Sequence, residues 1–282
     1  MIERETERIK TDRAWNKLHS RLDSEGLFAE TTSRPFLRPT LWKVASVAVA
    51  VVVGCIYLSV AYFGADQPQP MQQLCMQQNH ENTTLVTTLE DGSVVYLGGE
   101  ASLQYPEHFA SGSREVMLSG NALFDVTGNR DRPFLIETEQ VQVEVLGTAF
   151  DVRSDGEAPF ELSVQRGEVK VTQKKDGRTI HVKAGQTARL LAGQWQLSAT
   201  NNPRLFDRYT ESIRFKDERL GNILRVVNRQ QPEWQLQTSP ALGERKLTVT
   251  FSNDSPQTIA ELICLALNLK CTPQRGVLLL TE

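Results

Sequence analysis

From Val44 to Phe63 the chain reads VASVAVAVVVGCIYLSVAYF, twenty residues without one charged side chain. At roughly 1.5 Å per residue a helix of that length just crosses a hydrocarbon layer about 30 Å thick. Buried core helices rarely run so long without a charge, and a cleaved signal peptide carries a shorter apolar region nearer the start. The expectation is a single transmembrane helix over 41–63. Arg34, Arg38 and Lys43 precede it, and no lysine or arginine lies between Phe63 and Arg114. By the positive-inside rule the N-terminus is then cytoplasmic.

Ahead of the span, residues 1–43 interleave nine basic with seven acidic side chains. Trp15, Leu18 and Leu22 form a narrow apolar stripe at helical spacing. Three apolar residues cannot offset an ordering entropy of about 1–2 kcal/mol per residue. The arm over 1–40 is therefore either a frayed tail or a helix that needs a partner, a self-associated copy or the membrane surface to form, and with a partner the stripe is the contact. Beyond the span, GADQPQPMQQLCMQQNHEN holds six glutamines and two prolines and reads as an extended linker over 64–83.

Over 84–200 the hydrophobic period becomes two. Val141, Val143 and Val145, Leu162 and Val164, Val169 and Val171, and Ile180 and Val182 alternate with polar neighbours. Turn signals such as Asp91-Gly92, Asp155-Gly156 and Asp176-Gly177 recur between the runs, with no helical crossover. This predicts an antiparallel all-β sandwich or roll, with EVKVTQ-KKDGR-TIHVKA as its clearest hairpin. Over 208–282 the helical period returns. Asp217 is the expected N-cap of a helix burying Leu220, Ile223, Leu224 and Val227, and Ser255 that of a helix burying Ile259, Leu262, Ile263 and Ala266. Phe215, Ile223 and Val227 share the spacing of Phe251, Ile259 and Ile263, which predicts a duplicated β-α-β unit in a small α+β domain. Its sheet leaves an edge open to a partner's strand, with Lys246, Thr248 and Thr250 as the contact residues, unless charge merely blunts that edge.

The chemistry-bearing residue types are sparse. A formal charge of −3 lacks the basic excess of a direct nucleic-acid binder. His19, His80, His108 and His181 show no metal-ligand spacing, and no phosphate loop, nucleophile elbow or dinucleotide fingerprint is present. The expectation is no metal, no cofactor and no enzyme. Cys264 and Cys271 stand seven apart and form either a disulfide or two buried thiols.

The motifs LEDGSVVYL (Leu89 to Leu97), SLQYP, REVMLSGNALFDV (Arg114 to Val126), RPFLIET, VEVLGTAFDV (Val143 to Val152) and QRGEVKV, ending at Val171, resemble the FecR family of transmembrane sigma-factor regulators, or anti-sigma factors. The C-terminal module is similar to the secretin and TonB short N-terminal type of domain. The resemblance implies a mainly β chain with a short cytoplasmic helical arm, one inner-membrane helix and periplasmic β and α+β domains. It implies two partners, an extracytoplasmic-function sigma factor on the cytoplasmic side and the signalling domain of an outer-membrane TonB-dependent transporter on the other. The arm is shorter than the family's, and a membrane-anchored envelope scaffold that binds a protein or glycan is the alternative. Some relatives cleave themselves at a glycine-threonine bond, here Gly147–Thr148. The threonine hydroxyl would attack the uncrowded glycine carbonyl, and the resulting ester would hydrolyse more readily than an amide. The alternative is a glycine bend where a strand turns a corner, with Thr148 as a strand residue.

Overall fold

The computed structural model describes residues 73–282, except 157, 203, 231–233 and 275, together with Cys55 upstream. The alternating segments form strands β1 (Leu74–Gln78), β2 (Thr84–Thr88), β3 (Val94–Leu97), β4 (Ser102–Pro106), β5 (Arg114–Asp125), β6 (Phe134–Glu137), β7 (Val141–Val145), β8 (Ala149–Ser154), β9 (Glu161–Arg166), β10 (Glu168–Gln173), β11 (Thr179–Lys183), β12 (Gln186–Leu191) and β13 (Gln194–Ala199). One layer of the sandwich runs β1-β4-β5-β6-β7-β10-β11, and the other runs β13-β12-β9-β8-β5-β3-β2. The long strand β5 belongs to both. Its first half pairs with β4 and β6, and its second half, from Gly120 on, pairs with β3 and β8. Gly120 makes the corner at φ +94°, where a Cβ would lie 2.8 Å from the Ala101 Cα, so only glycine fits.

The sheets are mixed rather than purely antiparallel, because β6 runs parallel to β5. The chain leaves the end of β5 and returns alongside its start through residues 126–133, and Arg114 holds that return. Its side chain is almost fully buried, bonding the Arg132 carbonyl through Nε (2.9 Å), the Thr127 carbonyl through Nη1 (2.8 Å) and the Asp91 carboxylate (2.6 Å). Ser93 bonds the same carboxylate at 2.7 Å and accepts the Thr127 N–H at 3.0 Å. The guanidinium also lies 5.3 Å from the centroid of the Phe134 ring. A buried cation held this way is stable only while its acceptors stay in place.

After a short 3-10 turn at Asp207–Tyr209 come β14 (Ser212–Arg219), α1 (Leu220–Gln230), β15 (Gln235–Thr238), α2 (Pro240–Gly243), β16 (Lys246–Ser252), α3 (Pro256–Leu267), β17 (Lys270–Gln274) and β18 (Val277–Thr281). Two β-α-β units are present, β14-α1-β15 and β16-α3-β17. Their first strands pair with each other, and their last strands flank β18. All six repeat-matched residues are buried, and Phe215 meets Phe251 edge-on at 6.1 Å. Ser255 caps α3 by accepting the Thr258 N–H at 3.1 Å. The buried face of α3 differs from the expected one: Ile259, Ala260, Ile263 and Cys264 point inward, and Leu262 is exposed. Asp217 caps nothing. It lies within β14, in the bulge that shifts the register opposite β16, at φ +50°.

The α+β module continues the sandwich. β14 pairs in parallel with β2, Phe215 opposite Val86, so β2 and β3 are covered on both faces. Leu85, Val95, Leu97 and Phe124 enter the sandwich core, and Val86, Val94, Tyr96 and Leu123 pack with the module's helices in a second core. Two further ties span the seam. Buried Asp151 on β8 receives the Tyr209 hydroxyl at 2.6 Å and Arg208 at 3.0 Å, and Asp125 on β5 receives Arg229 of α1 at 3.0 Å.

Among the described residues no helix is long and apolar enough to cross a membrane. The longest, α3, has 12 residues, about 18 Å of rise against a layer of about 30 Å. The span expected over 41–63 lies outside the described residues, Cys55 apart. The single-pass assignment is corrected to a mostly β architecture with mixed sheets, in which no helix among the described residues spans a membrane. The assignments that depended on it are withdrawn as well: embedding in the inner membrane, a cytoplasmic N-terminus with periplasmic C-terminal domains, and signalling across the bilayer from a TonB-dependent transporter to a sigma factor.

Replacing Arg114 strands Asp91 and two carbonyls in the interior. Arg114→Met is expected to lower the unfolding free energy by about 3–5 kcal/mol, as measured by urea denaturation of the full chain. A loss below about 1 kcal/mol would mean that the guanidinium does not hold the β5–β6 return.

Candidate functional site

The expected partner contacts Lys246, Thr248 and Thr250 are exposed side chains along β16, with Leu247 and Phe251 alternating into the core. Among the described residues β16 pairs with β14 alone, so its other edge is free. The polar side chains fold back onto the sheet rather than guarding that edge. Lys246 reaches Asp217 at 2.8 Å, and Thr248 Oγ1 accepts the Asp217 N–H at 3.0 Å. The bulge at Asp217 thus occupies the charge that would otherwise discourage strand addition. β15 is treated differently. Asn228 on α1 donates to the Leu236 carbonyl at 3.0 Å and accepts the Leu236 N–H at 2.8 Å, so its carboxamide takes the place of a neighbouring strand.

Where β14 bulges away from β2, a cleft of about 560 Å³ opens, lined in part by Thr88, Glu90, His108, Lys216, Glu218 and Arg225. Sequence reading passed over it, since its walls come from segments more than 100 residues apart. Acids and bases alternate around it, so it presents no field of one sign for a charged small ligand. His108 Nδ1 lies 2.9 Å from Glu90 Oε2, and Glu90 Oε1 accepts the Phe109 N–H at 2.6 Å. The hydrogen bond to Glu90 raises the His108 pKa above the usual imidazole value.

Gly147 and Thr148 lie at the corner between β7 and β8, where the chain passes from one layer to the other. A Cβ on Gly147 would stand 2.5 Å from the Gly128 Cα, and one on Gly167 would stand 2.6 Å from Thr148 Cγ2. Gly147 is thus accounted for by the loop 126–133 lying directly on it. Thr148 is buried, and its hydroxyl has no hydrogen-bond partner; no side chain stands ready to take its proton.

Cys264 at the end of α3 and Cys271 on β17 are free thiols in the second core. Burial, reinforced by the neighbouring Cys271, pushes the Cys264 thiol up to about 11, which keeps it protonated and slow to react at neutral pH. No group of three or more His, Cys, Asp or Glu side chains suited to a metal occurs among the described residues. The stripe Trp15, Leu18 and Leu22 lies outside them.

Two measurements follow from this geometry. Gly147→Ala is expected to destabilise the fold by about 1–3 kcal/mol through overpacking, whereas Thr148→Val, which removes an unbonded buried hydroxyl, leaves stability unchanged or higher; the reverse order in thermal melts would contradict the packing account. Because the folded-state pKa of His108 is raised, its bond to Glu90 favours the fold below the unfolded imidazole value and is lost as pH rises through the folded one. In an NMR titration the His108 midpoint should therefore lie above that of a free histidine and drop in Glu90→Gln.

The family model described as FecR protein matches residues 80–170. That span covers β2 to β9 and the Asp91–Arg114 network. Two crystal structures of a candidate anti-sigma factor from Parabacteroides distasonis ATCC 8503 are similar to this chain. They are 20% and 19% identical, with TM-scores of 0.47 and 0.46, and each covers 74% of this chain and 99% of its own. No curated protein matches.

Proposed function

We propose that this protein is a regulator of the anti-sigma type, which acts by holding other proteins rather than by chemistry. The observation that carries the reading is the free edge of β16, whose side chains are tied back at Lys246–Asp217 and Thr248–Asp217 while the β15 edge is closed by Asn228. An extended partner segment can add to such an edge, with main-chain hydrogen bonds supplying affinity and the alternating Lys246, Thr248 and Thr250 supplying selectivity. The FecR match over 80–170 supports a regulatory role. In this reading Trp15, Leu18 and Leu22 contact a sigma factor. In the same reading Cys264 and Cys271, neighbours in the second core, join under oxidising conditions, each thiol giving up one hydrogen to the oxidant, and staple α3 to β17.

The test is isothermal titration of the full chain with purified sigma factors of the extracytoplasmic-function class from the same genome. One is expected to bind, with affinity falling at least about tenfold when Trp15, Leu18 and Leu22 all become alanine. Proline at both Thr248 and Thr250 should leave that binding intact and abolish the regulatory response in a sigma-dependent reporter. If no sigma factor binds, the anti-sigma reading fails; if the reporter ignores the prolines, the β16 edge is not a partner site.

A further inference from the structure

The stretch expected as a linker contains a strand. β1 pairs antiparallel with β4, Met76 opposite Gln104, and Asn79 fixes its end by donating to the carbonyls of Thr83, Leu97 and Gly98. Among the described residues β1 is an outer strand, paired on one side only. Its side chains run opposite to the usual plan, since Leu74 and Met76 project onto the outer face of the sheet and are 58% and 64% exposed. In the same row, one strand beyond Gln104, stands Met117 at 57%. Three of the large exposed apolar side chains thus form one strip along an edge.

The other edges differ. β11 carries Lys183, β17 carries Lys270 and Pro273, β15 is closed by Asn228, and β16, whose Lys246 is tied to Asp217, exposes no large apolar side chain. β13 lacks charge, but exposes one large apolar side chain, Leu197, with no second beside it. Charge, proline and capping are the devices that keep edges from pairing. From Gln73 to His80 the β1 segment has no charged residue and no proline.

We propose that β1 is a self-association edge whose occupant is β1 of a second copy of this chain. The sequence LCMQQ is self-compatible in antiparallel register about Met76: Met76 faces the partner's Met76, Leu74 faces the partner's Gln78, and no like charges meet. The two-fold arrangement is isologous and closes after two copies. It joins the two outer layers into one sheet and merges the strips of Leu74, Met76 and Met117 from both copies. A five-residue strand and a strip of three apolar side chains, two on β1 and one on β5, bury less than the roughly 1,200 Å² of a standard interface, so the dimer is weak and depends on concentration.

Sedimentation velocity of the purified full chain should show a reversible monomer–dimer equilibrium. Met76→Lys is expected to weaken it at least about tenfold, and Leu265→Lys, on the exposed side of α3, should leave it unchanged. Register is read separately in a Cys75→Ser background. With diamide as the two-electron oxidant, Met76→Cys should form a disulfide-linked dimer as two thiols lose their protons and electrons to it, whereas Gln78→Cys, far from its own copy in this register, should not. A chain that remains monomeric at all concentrations overturns the proposal and leaves the edge to a different protein. A dimer indifferent to Met76→Lys, or cross-linking equally well at 78, overturns it too.

Discussion

The fold depends on one buried cation. Arg114 begins β5, the only strand shared by both layers of the sandwich, and its guanidinium gathers Asp91 from the β2–β3 turn and the carbonyls of Thr127 and Arg132 from the return loop. Burying a guanidinium is costly unless its N–H groups meet acceptors, and the acceptors here come from two separate segments, the β2–β3 turn and the return loop. With Arg114 bonded through Nε and Nη1, the β2–β3 turn, the 126–133 loop and the start of β6 have little freedom left. The same loop then presses Gly128 against Gly147 and requires a glycine there. LEDGSVVYL, REVMLSGNALFDV, RPFLIET and the Leu146-Gly147-Thr148 corner are parts of one packing arrangement rather than separate signatures.

Much of this is legible in the sequence. Period-two alternation located β7, β9, β10 and β11, and the repeat spacing identified both β-α-β units, because a half-buried strand or helix announces its face through its polar neighbours. The failures have the same physical origin. Val94-Val95-Tyr96-Leu97 and Ala122-Leu123-Phe124 do not alternate, and that continuity is the signal of strands covered on both faces. It pointed to a second layer over β2 and β3, and so to the joining of the two modules. β1 was invisible because its apolar residues face solvent among glutamines. The inward face of α3 was misread because the helix is apolar nearly all round, so nothing in its composition distinguishes Leu262 from Ala260. The uncharged run 44–63 satisfied a length criterion, but no helix among the described residues spans a membrane.

The candidate site was legible in part. Edge status is a property of topology, and the open side of β16 followed from counting strands in a small duplicated module. The tie between Lys246 and Asp217 did not follow, since Asp217 reads as a helix cap and the bulge that carries it depends on β14 serving two neighbours, β2 in parallel and β16 antiparallel. The cleft beside it arises from the same divided duty, opening where β14 stops following β2.

Because β14 is hydrogen-bonded to β2, the sandwich and the terminal module are not interchangeable beads. A graft of either onto a relative would need a surface that reproduces Val86, Val94, Tyr96 and Leu123 together with carboxylates at 125 and 151. A substitution on one side of this seam therefore changes which residues the other side can accept.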